Sequence, residues 1–428
     1  MARDLRIPDR PEREGGSNMS LIAHLLDDGL LTADFQPIVT LDDGAVVGYE
    51  ALCRGPSRRE LPQSLFAQAR MAGRLGELDT KCRSAAFDCA VNAGIAAPMS
   101  LFVNVEPEQL DDPAVDELLA LAGTAPDGVQ LIIEVTERAL ASRPAKLLAA
   151  VQRLRESGWR LALDDVGADD ISLAFMSLLR SEVVKLDLRL VQQRPTPAIA
   201  GIVNAANAYA ERTGAVILAE GIETAEHLGV AAAMGARLGQ GWLFGPPDPG
   251  LLSGLPGSRL PLPGMEVPGS AGASPFACLP ESTVLRRSTK PLLVEVSKHL
   301  ERKAALEGAA CIVIASFQEA RYFTPGTGRR YQELAKQLAF VSVLGEDMPT
   351  EPAAGVRGIA LHADDPVRAE WDVVVLTPHF AAALLARDLD DAGVREDERA
   401  FEFTVTYKRD VVIAATRSLL SRECPLAD

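Results

Sequence analysis

Between residues 34 and 240 the chain repeats one pattern, a short apolar strand followed by a helical stretch, and that rhythm leaves few folds open. Asp34 to Thr40 and Ala45 to Leu52 read as two strands joined across the Asp42-Asp43-Gly44 turn. Further strands are predicted at Ser100 to Val105, Val129 to Val135, Arg160 to Asp165, Glu182 to Asp187, Ala215 to Ala219 and Ala236 to Gly239. Helical stretches near 62–73, 77–96, 107–122, 144–157, 171–180, 197–213 and 224–234 separate them. Such alternation predicts a parallel sheet covered by helices, and about eight strands in about 230 residues favour a closed barrel over an open sheet.

Reactive groups of such a barrel sit at the C-terminal ends of its strands, and acids and amides gather there in this chain. In Tyr49-Glu50-Ala51-Leu52-Cys53-Arg54-Gly55, residues two apart share a face, so Glu50, Leu52 and Arg54 point the same way. A carboxylate beside a guanidinium fork suits a hard cation held next to a phosphate. Asn104, Glu134, Asp164, Asp165, Lys185 and Glu220 each follow or end an apolar strand, and Gln240 follows the last one. Carboxylates converging on one rim repel one another, so the pattern predicts cations among them.

The formal net charge of -16 argues against loose binding to nucleic acid or an anionic membrane, both of which rest on basic patches. No run of about 18 apolar residues is present, and the start Met1-Ala-Arg-Asp-Leu-Arg lacks the apolar segment of a signal peptide. A cytoplasmic protein is the expectation. Cys53, Cys82, Cys89, Cys278, Cys311 and Cys424 form no C-x-x-C pair and read as reduced thiols.

The constellation resembles the EAL family of cyclic di-GMP phosphodiesterases over roughly residues 18 to 250. The motifs are Glu50-Ala51-Leu52 with Arg54, Asn104-Val-Glu-Pro107, Glu134-Val-Thr-Glu137, Asp164-Asp165, Lys185-Leu-Asp187, Glu220-Gly-Ile-Glu223 and Gln240-Gly-Trp-Leu-Phe-Gly245. The resemblance implies a TIM-like (β/α)8 barrel with an antiparallel first strand that hydrolyses cyclic di-GMP to linear pGpG. It implies two metal ions, Mg2+ or Mn2+, one held by Glu50, Asn104, Glu134 and Asp164, the second shared or held by Asp164 and Asp165. By the same resemblance Lys185 orients or deprotonates the attacking water, Glu220 and Gln240 complete the water and metal shell, and Arg54 grips a substrate phosphate. Gln36, Leu52 and Asp79 are further ligand contacts. Glu137 and Glu223 are supporting residues, the first bracing the loop after the paired aspartates, the second standing in the first turn of a helix. A homodimer is the family-level expectation, and it is also the commonest general case.

One stretch departs from the family. Where the family has Phe-Gly-Thr-Gly, an aromatic and Ser-Ser-Leu, this chain reads Val166-Gly167-Ala168-Asp169-Asp170-Ile171-Ser172-Leu173. Losing a glycine removes easy access to positive φ, and two added charges attract a metal or repel substrate. The alternative reading is therefore a weak or inactive EAL domain that serves as a cyclic di-GMP receptor or an interaction scaffold.

The domains are expected at 1–17, a disordered lead-in, 18–252, the barrel, 253–280, a Pro/Gly/Ser-rich linker, and 281–424, a smaller α/β sensory domain. In the last, helices are predicted near 289–306, 328–339, 378–387 and 410–422, and strands near 310–317, 340–344, 356–361, 371–376 and 401–406. It resembles the DICT domain in Phe317-Gln-Glu-Ala-Arg321-Tyr322-Phe-Thr-Pro, Arg330-Tyr331 and Trp371-Asp-Val-Val-Val. Its signal is unknown from sequence. Arg321, Tyr322, Arg330 and Tyr331 either line a ligand pocket or serve packing and surface pairing.

Overall fold

The computed structural model describes residues 25–27, 29–56, 62–136, 143–168, 170–252, 257–264, 274–389 and 395–422. The lead-in, Glu137 and Asp169 lie outside the described residues.

Eight strands close a barrel in sequence order: β1 (Thr32–Thr40), β2 (Val46–Arg54), β3 (Ser100–Asn104), β4 (Gln130–Thr136), β5 (Arg160–Val166), β6 (Val183–Leu186), β7 (Val216–Ala219) and β8 (Leu238–Gln240). Only β1 runs antiparallel to its neighbours β2 and β8. Helices α1 (Pro62–Met71), α2 (Leu75–Ala93), α3 (Asp112–Ala122), α4 (Pro144–Glu156), α5 (Asp170–Leu179), α6 (Leu188–Gln192), α7 (Pro197–Thr213) and α8 (Ala225–Ala233) cover it. The sequence pattern missed only the short α6, whose cap is the Asp187 carboxylate accepting from Arg189 N–H.

The barrel is plugged by a layer of apolar side chains that includes Ile38, Phe102, Ile132, Ala162, Val183, Leu218 and Leu238, nearly all at zero exposure. Each of the expected site residues Asn104, Glu134, Asp164, Lys185, Glu220 and Gln240 stands two positions beyond a member of that layer. Gln36 stands two before Ile38, because β1 runs the other way. Pleating by two therefore puts all of them on the barrel interior, one layer above the plug. Residues 257–264 run beneath it, where Ser258 N–H bonds Val46 O and Leu260 joins the apolar layer.

A second, seven-stranded sheet follows, in the order β12-β11-β10-β13-β14-β15-β9. Its strands are β9 (Arg286–Thr289), β10 (Ile312–Glu319), β11 (Phe340–Glu346), β12 (Arg357–Ala360), β13 (Glu370–Leu376), β14 (Ala381–Asp388) and β15 (Ala400–Thr406). Helices α9 (Lys290–Glu307) and α10 (Pro325–Ala335) cover one face over Val313, Ala315, Val373 and Val375. On the other face Ile312, Ile314, Val374 and Leu376 meet α11 (Arg409–Leu420).

The helix predicted at 378–387 is strand β14. Its Ala-Ala-Ala-Leu-Leu-Ala run has high helix propensity and no alternation, because the strand lies between β13 and β15 with both faces buried. Small side chains there let helices approach the sheet from both sides, and that tertiary fit overrides local preference. β9, an exposed edge strand rich in Arg, gave no apolar signal.

The two sheets share an interface. α11 packs on α4 and α5 of the barrel, Arg417 donates to the Leu178 carbonyl, and Arg180 pairs with Asp410 at 2.9 Å. The rings of Phe175 and Phe340 meet edge to face at 5.4 Å.

Because Phe102 is fully buried in the barrel plug, Phe102→Ala should cost about 3–5 kcal/mol. Differential scanning calorimetry should show the barrel transition moved to lower temperature, and an unmoved transition would mean that the layer is not carrying the fold.

Candidate active site

The site is built on Lys185, which β6 delivers to the barrel axis at 1% exposure. Its Nζ lies 2.7 Å from Glu134 Oε1, 2.9 Å from Glu220 Oε1, 3.1 Å from Asp164 Oδ1 and 3.4 Å from Glu50 Oε2. Burial opposes the ammonium charge, but Asp164, Glu134, Glu220 and Glu50 outweigh it and hold the proton well above the usual lysine range. With four carboxylates around it, the Lys185 ammonium keeps its proton and donates hydrogen bonds.

Besides Lys185, two amides fix Glu50. Gln240 Nε2 donates to its Oε2 at 2.7 Å, Asn104 Nδ2 donates to its Oε1 at 2.8 Å, and Gln240 also donates to Gln36 Oε1 at 3.0 Å. Burial would raise the Glu50 carboxyl, yet Lys185 and those amides keep it below its ordinary value. The other acids go the opposite way. Burial, then the charge of Glu50, pushes Glu134 well up despite Lys185. Glu220 is pushed up to about 8 by burial, with Asp164 and Glu50 adding and Lys185 opposing.

The loop geometry that holds these groups is costly and specific. Asp165, straight after Asp164, takes a φ of 55°, a left-handed conformation unusual for a residue with a Cβ. Gly241 seats Gln240 at a φ of 153°, and a Cβ there would meet Ile222 O at 2.2 Å.

A cation fits this site. Four carboxylates face one ammonium, and Glu134 Oε1, Glu134 Oε2 and Asp164 Oδ1 are buried without a hydrogen bond, although Lys185 is within ion-pair reach. Asp164, Asp165 and Glu220 each bring one oxygen to within 4.8 Å of the others. Above them opens a cavity of about 490 Å³ whose walls include Glu50, Leu52, Asp79, Asn104, Asp164 and Asp165.

Not every expected residue points into that cavity. Arg54 is not on its wall; its Nε donates to Asp34 Oδ2 at 2.9 Å, across the hairpin where Asp34 pairs with Leu52. Asp79 does line it, but its carboxylate accepts from Glu106 N–H at 3.2 Å and from the buried Arg83 guanidinium, and burial, against Arg83, lifts it to about 6. Glu223 is exposed and precedes the Thr224 cap of α8, so it lies ahead of the helix instead of in its first turn. Asp170 opens α5, directly after the undescribed Asp169.

Sequence reasoning missed Asp34 and Arg83, the partners of Arg54 and Asp79. Both were readable, Asp34 from the hairpin register and Arg83 from its four-residue spacing to Asp79 on a helix. It also treated the cysteines as unrelated, whereas Cys53 and Cys82 face each other across the cavity wall with their sulfurs 2.7 Å apart.

The EAL domain family matches residues 21–247, and the family described as a sensory domain in diguanylate cyclases and two-component systems, DICT, matches residues 278–389. The cyclic di-GMP phosphodiesterase RocR of Pseudomonas aeruginosa is 33% identical over 233 residues, covering 52% of this chain and 59% of that protein. The cyclic di-GMP phosphodiesterase NbdA of the same organism is 32% identical over 234 residues, 52% of this chain and 30% of that protein. The chain thus matches less than two thirds of either relative's length. The BlrP1 complex of Klebsiella pneumoniae with calcium and cyclic di-GMP is 28% identical with a TM-score of 0.47, covering 52% of this chain and 57% of that one. With the paired aspartates, the buried lysine and the signature glutamate gathered at one end of a barrel whose first strand is reversed, the chain belongs to the EAL domain family and carries a DICT domain behind the barrel.

Proposed function

We propose that the barrel, residues 18–252, hydrolyses cyclic di-GMP to linear pGpG, and that residues 281–424, joined through 253–280, regulate it in a cytoplasmic protein. The observation that carries the reading is the buried Lys185 among Glu50, Glu134, Asp164 and Glu220, two of which, Glu50 and Asp164, also line an open cavity. Relatives named cyclic di-GMP phosphodiesterases support the choice of substrate.

Glu50, Asn104, Glu134, Asp164 and Asp165 would hold two Mg2+ or Mn2+ ions. When bound, such ions supply charge neutralisation and a water of lowered pKa for in-line attack on phosphorus. The chain's own groups do the rest. Asn104 and Gln240 fix the rotamer of Glu50 so that its carboxylate is aimed before substrate arrives. Lys185 donates hydrogen bonds that orient the attacking water. Glu220, whose carboxylate lies 2.9 Å from Lys185, takes the proton as the phosphorus–oxygen bond to water forms. The bond to the ribose 3′ oxygen then breaks, and that oxygen takes a proton from solvent water as it leaves. Leu52 and Asp79 bound the substrate from the cavity wall, while Gln36 braces Gln240 and Arg54 braces the strand through Asp34.

Regulation follows from the shared interface. α5 starts beside the Asp164–Asp165 loop, and its C-terminal end is held by Arg417 of α11. A change in the second sheet moves α11, and α11 moves the helix that ends at the site.

Chromatography of wild type with cyclic di-GMP and Mn2+ should yield pGpG, and Glu50→Ala should lose on the order of a hundredfold or more in kcat/KM. Tight binding without product by wild type would replace the enzyme with a receptor. Since burial holds the Glu134 carboxyl well above its ordinary range and it must ionise to ligate, Mn2+ binding should release protons and strengthen as pH rises. Calorimetry in two buffers of different ionisation enthalpy tests this, and equal apparent heats would refute it. Arg417→Ala should lower kcat about 2- to 30-fold, the span of a coupling of about 0.5–2 kcal/mol, with KM unchanged. Unaltered turnover would reduce the interface to packing.

A further inference from the structure

The second sheet carries a cavity of its own, about 370 Å³, opening between α9 and α10 over β10 and β13. Helices that only cover a sheet turn an apolar stripe toward it. The stripe of α9 that faces this cavity instead reads Lys290, Val294, Ser297, Lys298 and Glu301, with one apolar member.

The floor is aromatic and braced. Phe317 meets Tyr331 edge to face at 5.6 Å, and Trp371 meets Phe401 in the same way at 5.6 Å. Rings held edge-on by neighbours leave flat faces for a planar guest. On the lining, Ser297 Oγ is buried without a hydrogen-bond partner in a residue 6% exposed, and the fully buried Tyr331 Oη has the Glu301 carboxylate beside it. That carboxylate also accepts from Arg330 Nε at 2.8 Å. An unmade buried hydrogen bond costs about 1–3 kcal/mol, so the Ser297 hydroxyl, beside a phenol whose acceptor is shared with Arg330, points to a guest that completes the set.

The mouth is cationic in an acidic protein. Lys290 and Lys298 lie there, paired with Glu396 and Glu295, whose side chains are 52% and 64% exposed. Pairs so exposed to water are weak and readily give way to an incoming anion. Arg330 and Glu301 neutralise each other deeper in.

We propose that this cavity is the recognition site of the DICT domain and that its ligand is a small planar aromatic carboxylate bearing a polar ring substituent. The ring lies among Phe317, Trp371 and Tyr331, the substituent meets Ser297 and Tyr331, and the carboxylate meets Lys290 and Lys298. The volume, near the lower end for small-molecule pockets, suits one or two rings. The proposal stands independently of the barrel's reaction, since its readout is binding.

Four probes test it by calorimetry on the full chain: 4-hydroxybenzoate, benzoate, cyclohexanecarboxylate and 4-hydroxybenzyl alcohol. Wild type should prefer 4-hydroxybenzoate to benzoate by about 3- to 10-fold, the value of one net hydrogen bond, and bind the other two more weakly still. Tyr331→Phe and Ser297→Ala should shrink the first preference, and Ser297→Ala should leave the thermal midpoint unchanged or higher, because its hydroxyl does not serve the fold. Lys298→Gln should weaken benzoate but not the alcohol. Equal or absent binding of all four probes by wild type overturns the proposal, as does a lowered midpoint in Ser297→Ala.

Discussion

The ion contacts of Lys185 organise the barrel mouth. One ammonium buried at the axis draws in carboxylates from β2, β4, β5 and the end of β7, groups that would otherwise drive one another apart. Buried pairs of this kind seldom add net stability, because desolvation offsets their attraction. Their value is positional. Each acid is held within reach of the same point before any ligand arrives, and the surplus of negative charge makes that point a place for cations.

Beneath the charge lies a hydrophobic layer that makes it affordable. Phe102, Ile132, Ala162, Val183, Leu218 and Leu238 keep the barrel dry below, and the polar residue two positions farther along each strand emerges above. A slip of one residue in any strand would exchange plug for site, so register and chemistry are specified together. The reversed β1 obeys the same rule, with Gln36 opposite Glu50 in the ladder.

The second sheet uses its two faces differently. Val374 and Leu376 look toward α11 and the barrel, while their neighbours Val373 and Val375 look toward α9 and α10. Alternation by two thus places the aromatic cavity and the barrel contact on opposite sides of the same strands. α11 in turn contacts the helix that opens beside the paired aspartates.

Much of this was legible in the residues alone. Strand and helix alternation fixed the barrel, because apolar runs of that length between amphipathic helices bury themselves in few ways, and the acids at the strand ends marked the rim. Sequence could not see what distance in the chain conceals. It named Arg54 and Asp79 as ligand contacts but not Asp34 and Arg83, the partners that packing gives them. It read a helix in Ala381–Asp388, where sheet partners on both sides outweigh the preference of alanine. The contacts between α11 and the barrel, and the buried hydroxyls of Ser297 and Tyr331 beside Phe317 and Trp371, are likewise tertiary facts. Local order follows from side-chain pattern, which the chain carries with it; partners more than a few turns apart are chosen only when the whole core closes.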